Sequence, residues 1–361
     1  MSAHIDSPAQ VSPAELLLTW YDRHARSMPW RVPPQKYRNG VRPNPYHVWL
    51  SEVMLQQTQV ATVADYFLKF LKNWPTLDDL AAAESEDVMR AWAGLGYYAR
   101  ARNLKKCAET VIREYGGEFP QTAEELKKLP GIGEYTSAAI AAIAFDEPVA
   151  VVDGNVERVM SRVHELTTPL PKVKTEIRSI VQDAVPKNRP GDFAQAMMDL
   201  GATICTPKRP ACILCPLEST CRGYASGSQE LFPFKAAKQK KPVRTGAAFV
   251  AIDHDGAVFL QRRPDSGLLG GMSGVPTTEW TSEVGAVTDA SNAPFSGDWE
   301  KAGKVRHTFT HFHLELTVWR AEIDDSACDS DGRWSNQNSL PEEALPTVMK
   351  KVIALAIPDI F

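Results

Sequence analysis

Cys205-Thr206-Pro207-Lys208-Arg209-Pro210-Ala211-Cys212-Ile213-Leu214-Cys215-Pro216-Leu217-Glu218-Ser219-Thr220-Cys221 is the stretch on which the reading of this chain turns. It holds four of the six cysteines, separated by six, two and five residues. Thiolates this close repel one another unless a cation or a disulfide compensates, so a metal or cluster site is the first reading. Disulfides fit poorly, because the N-terminus is polar, with Pro8 and Pro13 where a secretory signal would carry an apolar core. Structural zinc usually takes two close Cys pairs, and here only Cys212 and Cys215 form one. Spacing therefore favours a 4Fe–4S cluster held by Cys205, Cys212, Cys215 and Cys221, with zinc as the alternative.

Working outward, 361 residues suffice for two domains that each bury a core. No apolar run approaches the roughly 20 residues needed to span a bilayer, so a soluble protein is expected. The formal charge of −4 looks wrong for a nucleic-acid binder until the chain is divided. Residues 1–244 hold 31 Lys+Arg against 27 Asp+Glu, and residues 245–361 hold 9 against 17. The basic excess thus lies in the cysteine-bearing portion, where contact with a nucleic acid would be expected if there is any. It is small, and only permits that reading.

Up to about residue 223 the pattern is helical. Ser12-Pro13-Ala14-Glu15 is a capping box, followed by Leu17, Trp20, Tyr21 and His24 at helical spacing. Thr122-Ala123-Glu124-Glu125 is a second one. Residues 224–244 turn to Ser, Gln, Lys and Pro and read as a linker. Residues 245–361 change to a period of two. Phe249–Ile252 and Val258–Leu260 flank an Asp255-Gly256 turn, Phe312, Leu314, Leu316 and Val318 alternate as in a half-buried strand, and a last helix covers about 346–356.

Three positions carry chemistry. Leu129-Pro130-Gly131-Ile132-Gly133 separates two helical patterns, and its paired glycines allow a tight turn and close backbone approach to a phosphate at the next helix start. An ordinary helix–helix turn is the plain alternative. Asp153 follows Val149-Ala150-Val151-Val152 and precedes Gly154-Asn155-Val156-Glu157, the position of an N-cap. Helix-end amides favour a carboxylate's charge there, which also suits stabilisation of a developing positive charge. Glu52 lies in Val48-Trp49-Leu50-Ser51-Glu52-Val53-Met54-Leu55, apolar on nearly every helical face. Desolvation should raise its pKa and make it a general acid near neutral pH. The alternative is a buried Glu paired with an arginine.

At this point the resemblance to a known family is specific. Ser51-Glu52-Val53-Met54-Leu55-Gln56-Gln57-Thr58-Gln59-Val60 resembles the signature of the MutY family of adenine DNA glycosylases. So do Met28-Pro29-Trp30-Arg31, Gly94-Leu95-Gly96-Tyr97-Tyr98-Ala99-Arg100 and Phe193-Ala194-Gln195-Ala196-Met197-Met198-Asp199-Leu200-Gly201. The hairpin is similar to the helix-hairpin-helix element that grips DNA, and the cysteine spacing to the cluster loop of the related endonuclease III family. Nearly all of residues 12–225 are covered, and the C-terminal part resembles the MutT-like (Nudix-like) domain of the same family.

The resemblance implies a mostly α helix-hairpin-helix glycosylase domain (1–223) carrying the 4Fe–4S loop (205–221), a linker (224–244) and an α+β Nudix-like domain (245–361). It implies removal of adenine mispaired with 8-oxoguanine, or with guanine, from duplex DNA. Glu52 would be the acid, Asp153 the sugar stabiliser and Asn155 its partner. Trp30, Arg31 and Gln195 would form the adenine pocket, Gln57 and Tyr97 wedge into the duplex, and Gly131 and Gly133 form the DNA grip. Relatives that also cut the backbone carry a lysine where this chain has Tyr135, so a monofunctional enzyme is implied. A glycosylase/lyase for oxidised pyrimidines is the runner-up. Phe309-Thr310-His311 matches the family's loop for inspecting 8-oxoguanine. Nudix hydrolysis is rejected, since residues 270–290 offer only Glu279 and Glu283 where a glutamate-dense helix would be needed. A monomer in a bacterial cytoplasm is expected.

Overall fold

A computed structural model of the chain describes residues 11–236, 240–264, 267–283, 285–323 and 332–361. Pro8 and Cys328 lie outside these described residues. Two compact units form: Met1–Ala82 with Lys106–Ala237, and Ala83–Lys105 with Lys238–Phe361.

The first unit is helical. Pro13–His24 opens with the full capping box: Ser12 N–H donates to Glu15 Oε2 at 2.8 Å and Glu15 N–H to Ser12 Oγ at 3.3 Å. Its Leu17 and Tyr21 are buried. Around them stand Pro45–Leu55, Val60–Asn73, Glu134–Phe145, Gly154–His164 and Pro190–Thr203. Small residues make Glu134–Phe145 a central element. Ser137, Ala138, Ala139, Ala141 and Ala142 are buried, so neighbouring helices approach closely. Residues 222–236, largely read as linker, are strapped to this unit by the helix Arg222–Ala225 and by buried Phe232, whose carbonyl accepts from Arg162 Nε at 3.3 Å.

The second unit is a mixed sheet. Strands β1 (Val243–Ile252), β2 (Val258–Arg262), β3 (Ser273–Gly274), β4 (Glu300–Thr308), β5 (His313–Glu322) and β6 (Arg333–Ser335) lie in the order β3-β2-β1-β5-β4, with β6 beside β2. β1 and β5 run parallel, Val243 opposite His313 through Ile252 opposite Glu322. β4 and β5 are antiparallel and joined by residues 309–312. Phe312, Leu314, Leu316 and Val318 are buried with Val348, Val352 and Ile353 of the helix Thr347–Ala356. That burial is what the period of two in the sequence encodes. Residues 83–105, placed by sequence in the first domain, belong to this unit. Arg102 donates to the Gly270 carbonyl, and Arg333 pairs with Glu86 at 3.3 Å.

Candidate active site

Glu52 sits in the last turn of Pro45–Leu55, a helix begun by Asn44, whose side chain accepts from Tyr46 N–H at 2.9 Å. Residues 46 and 48–54 of this helix are buried, so Glu52 is only 5 % exposed. Its partner is not an arginine. The Tyr135 hydroxyl donates to Glu52 Oε2 at 2.9 Å and lies 3.5 Å from Met198 Sδ. Burial holds the Glu52 carboxyl at about 7, while the Tyr135 hydrogen bond and the nearby Arg31 charge pull it down. The Tyr135 phenol is raised well above its ordinary value by burial and then by the charge of Glu52. Tyr135 stands two residues beyond Gly133, the N-cap of Glu134–Phe145, in a turn where Gly131 takes φ +75°.

Asp153 caps Gly154–His164. Its Oδ1 accepts from the Asn155 and Val156 amides at 2.9 and 2.8 Å, and its Oδ2 from Asn155 Nδ2 at 2.8 Å. The amide of Asn155 is oriented in turn by Arg158, whose Nη2 donates to Asn155 Oδ1 at 2.8 Å and to the Gly201 carbonyl at 2.7 Å. A Cβ at Gly201 would stand 2.5 Å from Asn155 Cβ, so the glycine permits this arrangement.

Glu52, Tyr135, Asp153, Asn155, Trp30, Arg31, Gln57 and Gln195 all line one cavity of about 860 Å³, together with Met28, Val48 and Met198. A nucleoside fits such a volume. Trp30 is buried edge-on to Phe67 at 5.3 Å. Gln195, also buried, donates back to the Gly191 carbonyl at 3.3 Å. Arg31 is fixed by Asp199, which the sequence reading did not assign: Asp199 accepts from Arg31 Nη1 at 2.7 Å, Arg26 Nε at 2.6 Å and Arg26 N–H at 3.0 Å, and is fully buried. Its place four residues after Gln195, on the same helical face, was the signal available.

Gln57 is exposed, with φ 57°. Tyr97, in the second unit, is 47 % exposed with φ 49°, and its hydroxyl lies 2.9 Å from Thr310 Oγ1. Thr310 and His311 are exposed in the turn between β4 and β5. Phe309, the first residue of the segment that resembles the family's inspection loop, does not project from the turn. It is half-buried, stacked on Trp280 and Phe312 and packed against the sheet core.

The four cysteines of 205–221 line a second cavity with Val159, Val163, Leu200 and Ile204. Buried Arg162 donates to Cys205 Sγ at 3.3 Å and to the carbonyls of Thr206 and Pro207. Burial pushes the Cys215 thiol up to about 12 and raises those of Cys212 and Cys221. Among the described residues, no group of three or more His, Cys, Asp or Glu is arranged to hold a single metal ion. Lys208 and Arg209 are exposed in this loop. Cys107 is buried in the helix Ala99–Tyr115.

Residues 50–186 match the HhH-GPD superfamily of base excision DNA repair proteins, and residues 247–355 match the NUDIX domain. Over 93 % of its length the chain is 37 % identical to the adenine DNA glycosylase of Homo sapiens, covering 72 % of that protein. It is 30 % identical to the adenine DNA glycosylase of Buchnera aphidicola subsp. Baizongia pistaciae over 94 % of this chain and 95 % of that one. Among solved structures, a thermostable thymine-DNA glycosylase superposes with a TM-score of 0.51 at 28 % identity, over 59 % of this chain and 95 % of that one.

Proposed function

The chain belongs to the adenine DNA glycosylase family, and from that premise we propose that it removes adenine mispaired with 8-oxoguanine, or less readily with guanine, from duplex DNA. Adenine excision by hydrolysis of an N-glycosyl bond, in base excision repair, is the activity this membership carries. The observation that supports the assignment of roles is one cavity holding two unlike carboxyl groups. Glu52 is dry and bonded by Tyr135, and Asp153 is gathered by three nitrogen donors at a helix start.

The adenine leaves the stack, at a cost of a few kcal/mol that a mispair reduces. It enters the cavity beside Trp30, with Arg31 and Gln195 toward its edge. Glu52 gives its proton to the five-membered ring of the base. The electron pair of the glycosidic bond then leaves with neutral adenine. The cationic sugar faces the Asp153 carboxylate, which Asn155 holds in place. Water adds at the sugar carbon and loses a proton, leaving an abasic site. The two carboxyls divide the work as in glycoside hydrolysis. Tyr135 offers a phenol where a Schiff-base amine would be needed, which favours a monofunctional enzyme over a lyase.

A 4Fe–4S cluster is proposed on Cys205, Cys212, Cys215 and Cys221. Four sulfurs around one apolar cavity, with the Arg162 cation against Cys205, suit an anionic thiolate-bound group. When bound it would supply a structural tie for a loop whose Lys208 and Arg209 are exposed to meet phosphates. Gln57 and Tyr97 are assigned to the opened duplex, Gly131 and Gly133 to the DNA backbone, and the 309–311 turn to the base opposite adenine. No helix among the described residues is long and apolar enough to cross a membrane. A monomer in a bacterial cytoplasm completes the proposal.

The test is one gel. Duplex carrying adenine opposite 8-oxoguanine is incubated with the protein and run with and without alkali. Strand breaks only after alkali support a monofunctional adenine glycosylase. Breaks without alkali indicate a lyase, and intact strands in both lanes refute excision.

A further inference from the structure

The turn that joins β4 to β5 is built to present two residues and to bury the one before them. Phe309 stacks on Trp280 with centroids 6.0 Å apart and planes at 30°, and on Phe312 at 4.9 Å and 30°. His307 meets it edge-on at 4.7 Å. Both Trp280 and Phe312 also carry a guanidinium: Arg263 lies 5.0 Å over the Trp280 ring and Arg244 lies 4.4 Å over the Phe312 ring. The backbone closes beneath this stack, Phe309 N–H donating to the Phe312 carbonyl at 2.9 Å, while Lys241 Nζ donates to the Phe309 carbonyl at 3.0 Å. Thr310 and His311 are left exposed at the tip.

Trp280 itself is 9 % exposed and comes from a segment distant in sequence, between β3 and β4. It has no surface to offer a base. Aromatic pairs in this offset geometry add stabilisation beyond the area they bury. A cation over the indole face adds to that where it is sheltered from water. The energy goes into fixing Phe309, and through its backbone into fixing where the next hydroxyl stands.

We propose that Trp280, braced by Arg263, is a positioning residue for recognition of the base opposite adenine: it pins Phe309 and thereby aims Thr310 and His311. The inference rests on the reading that the 309–311 turn contacts that base. Phe309, held in its stack on Trp280 and Phe312, anchors the turn in the free protein. Hydrogen bonds that distinguish 8-oxoguanine from guanine demand placement within about 0.5 Å. A turn whose anchor is lost samples a wider range and forfeits the distinction.

The experiment compares single-turnover excision of adenine opposite 8-oxoguanine and opposite guanine by the full chain, its Trp280→Ala, Trp280→Leu and Trp280→Phe variants, and Thr310→Ala. Thermal melting of each sets a temperature at which all are folded. A good base contact is worth roughly 1–3 kcal/mol, so the ratio of the two rates should fall about tenfold or more in Trp280→Ala. Trp280→Phe should recover most of it, because a ring returns. Trp280→Leu fills the core without a stacking face and carries the test if the alanine variant does not fold. It should lower the ratio as the alanine variant does, which a merely structural filler would not. If Thr310→Ala lowers the ratio while Trp280→Ala or Trp280→Leu keeps it within twofold of the parent, Trp280 does not position the turn. If Thr310→Ala itself leaves the ratio unchanged, the underlying reading of the turn fails instead.

Discussion

Replacing Glu52 with glutamine should abolish excision and, at alkaline pH, make the protein more stable. The folded-state carboxyl sits at about 7 because it is buried, against 4.5 for the free group. In the unfolded chain it gives up its proton above about pH 4.5, whereas the folded chain retains it until about 7. Between those values the folded state binds the extra proton, so stability falls as pH rises through this window. At about 1.4 kcal/mol per pKa unit, the buried charge costs about 3 kcal/mol at pH 8 and below about 1 kcal/mol at pH 5. Glutamine keeps an acceptor for the Tyr135 hydroxyl and carries no charge. Urea unfolding of parent and variant at both pH values, on full-length protein of matched metal content, reads the difference directly. Glu52→Gln should gain clearly at pH 8 and little at pH 5, with single-turnover excision lost at both. An equal change at the two pH values, or substantial excision by the variant, would refute the protonated-acid reasoning.

Tyr135→Phe removes a hydrogen bond that lowers the Glu52 pKa. The pH at which excision falls off on the alkaline side should therefore move up by about one unit, given ~1.5 kcal/mol for a hydrogen bond to a charged group. A downward or absent shift would count against that bond. Asp199→Asn should act in the opposite direction, because the Arg31 cation beside Glu52 loses its compensating charge. Its alkaline limb should move down, and urea unfolding should show a loss of about 3–5 kcal/mol from the broken buried pair. An unmoved limb would separate Arg31 from the acid. Purified protein should contain about four irons, with loss of iron on Cys212→Ala. Stoichiometric zinc from iron-replete cells would overturn the cluster.

What could be read from sequence was local. Ser12 and Thr122 announce helix starts, Asp153 a cap, and Gly131 a turn, because each acts on residues within about four of itself. Glu52 was legible for the same reason: the residues that desolvate it are largely its own helix neighbours. The partners were not. Tyr135 is 83 positions from Glu52, and Arg31 is 168 from Asp199. An apolar helix shows that a carboxyl is buried without showing what meets it, which is why an arginine partner stood open where a tyrosine is found. Parallel pairing of β1 with β5 was likewise hidden, since alternation fixes a strand's faces and not its neighbour. The stacking of Phe309 on Trp280 was hidden too, because the two residues are 29 positions apart and no local pattern links them.

Gln57 and Tyr97, assigned above to the opened duplex, are both non-glycine residues in the left-handed region, at φ 57° and 49°. That conformation costs an ordinary side chain roughly 1–2 kcal/mol, and glycine almost nothing. Selection for heat resistance alone would thus drift toward glycine at both positions. The survivors would melt later and open DNA less well. Comparing thermostable isolates with active ones at these two sites would expose a conflict in which the chain has kept a strained backbone for the sake of the side chains it holds out.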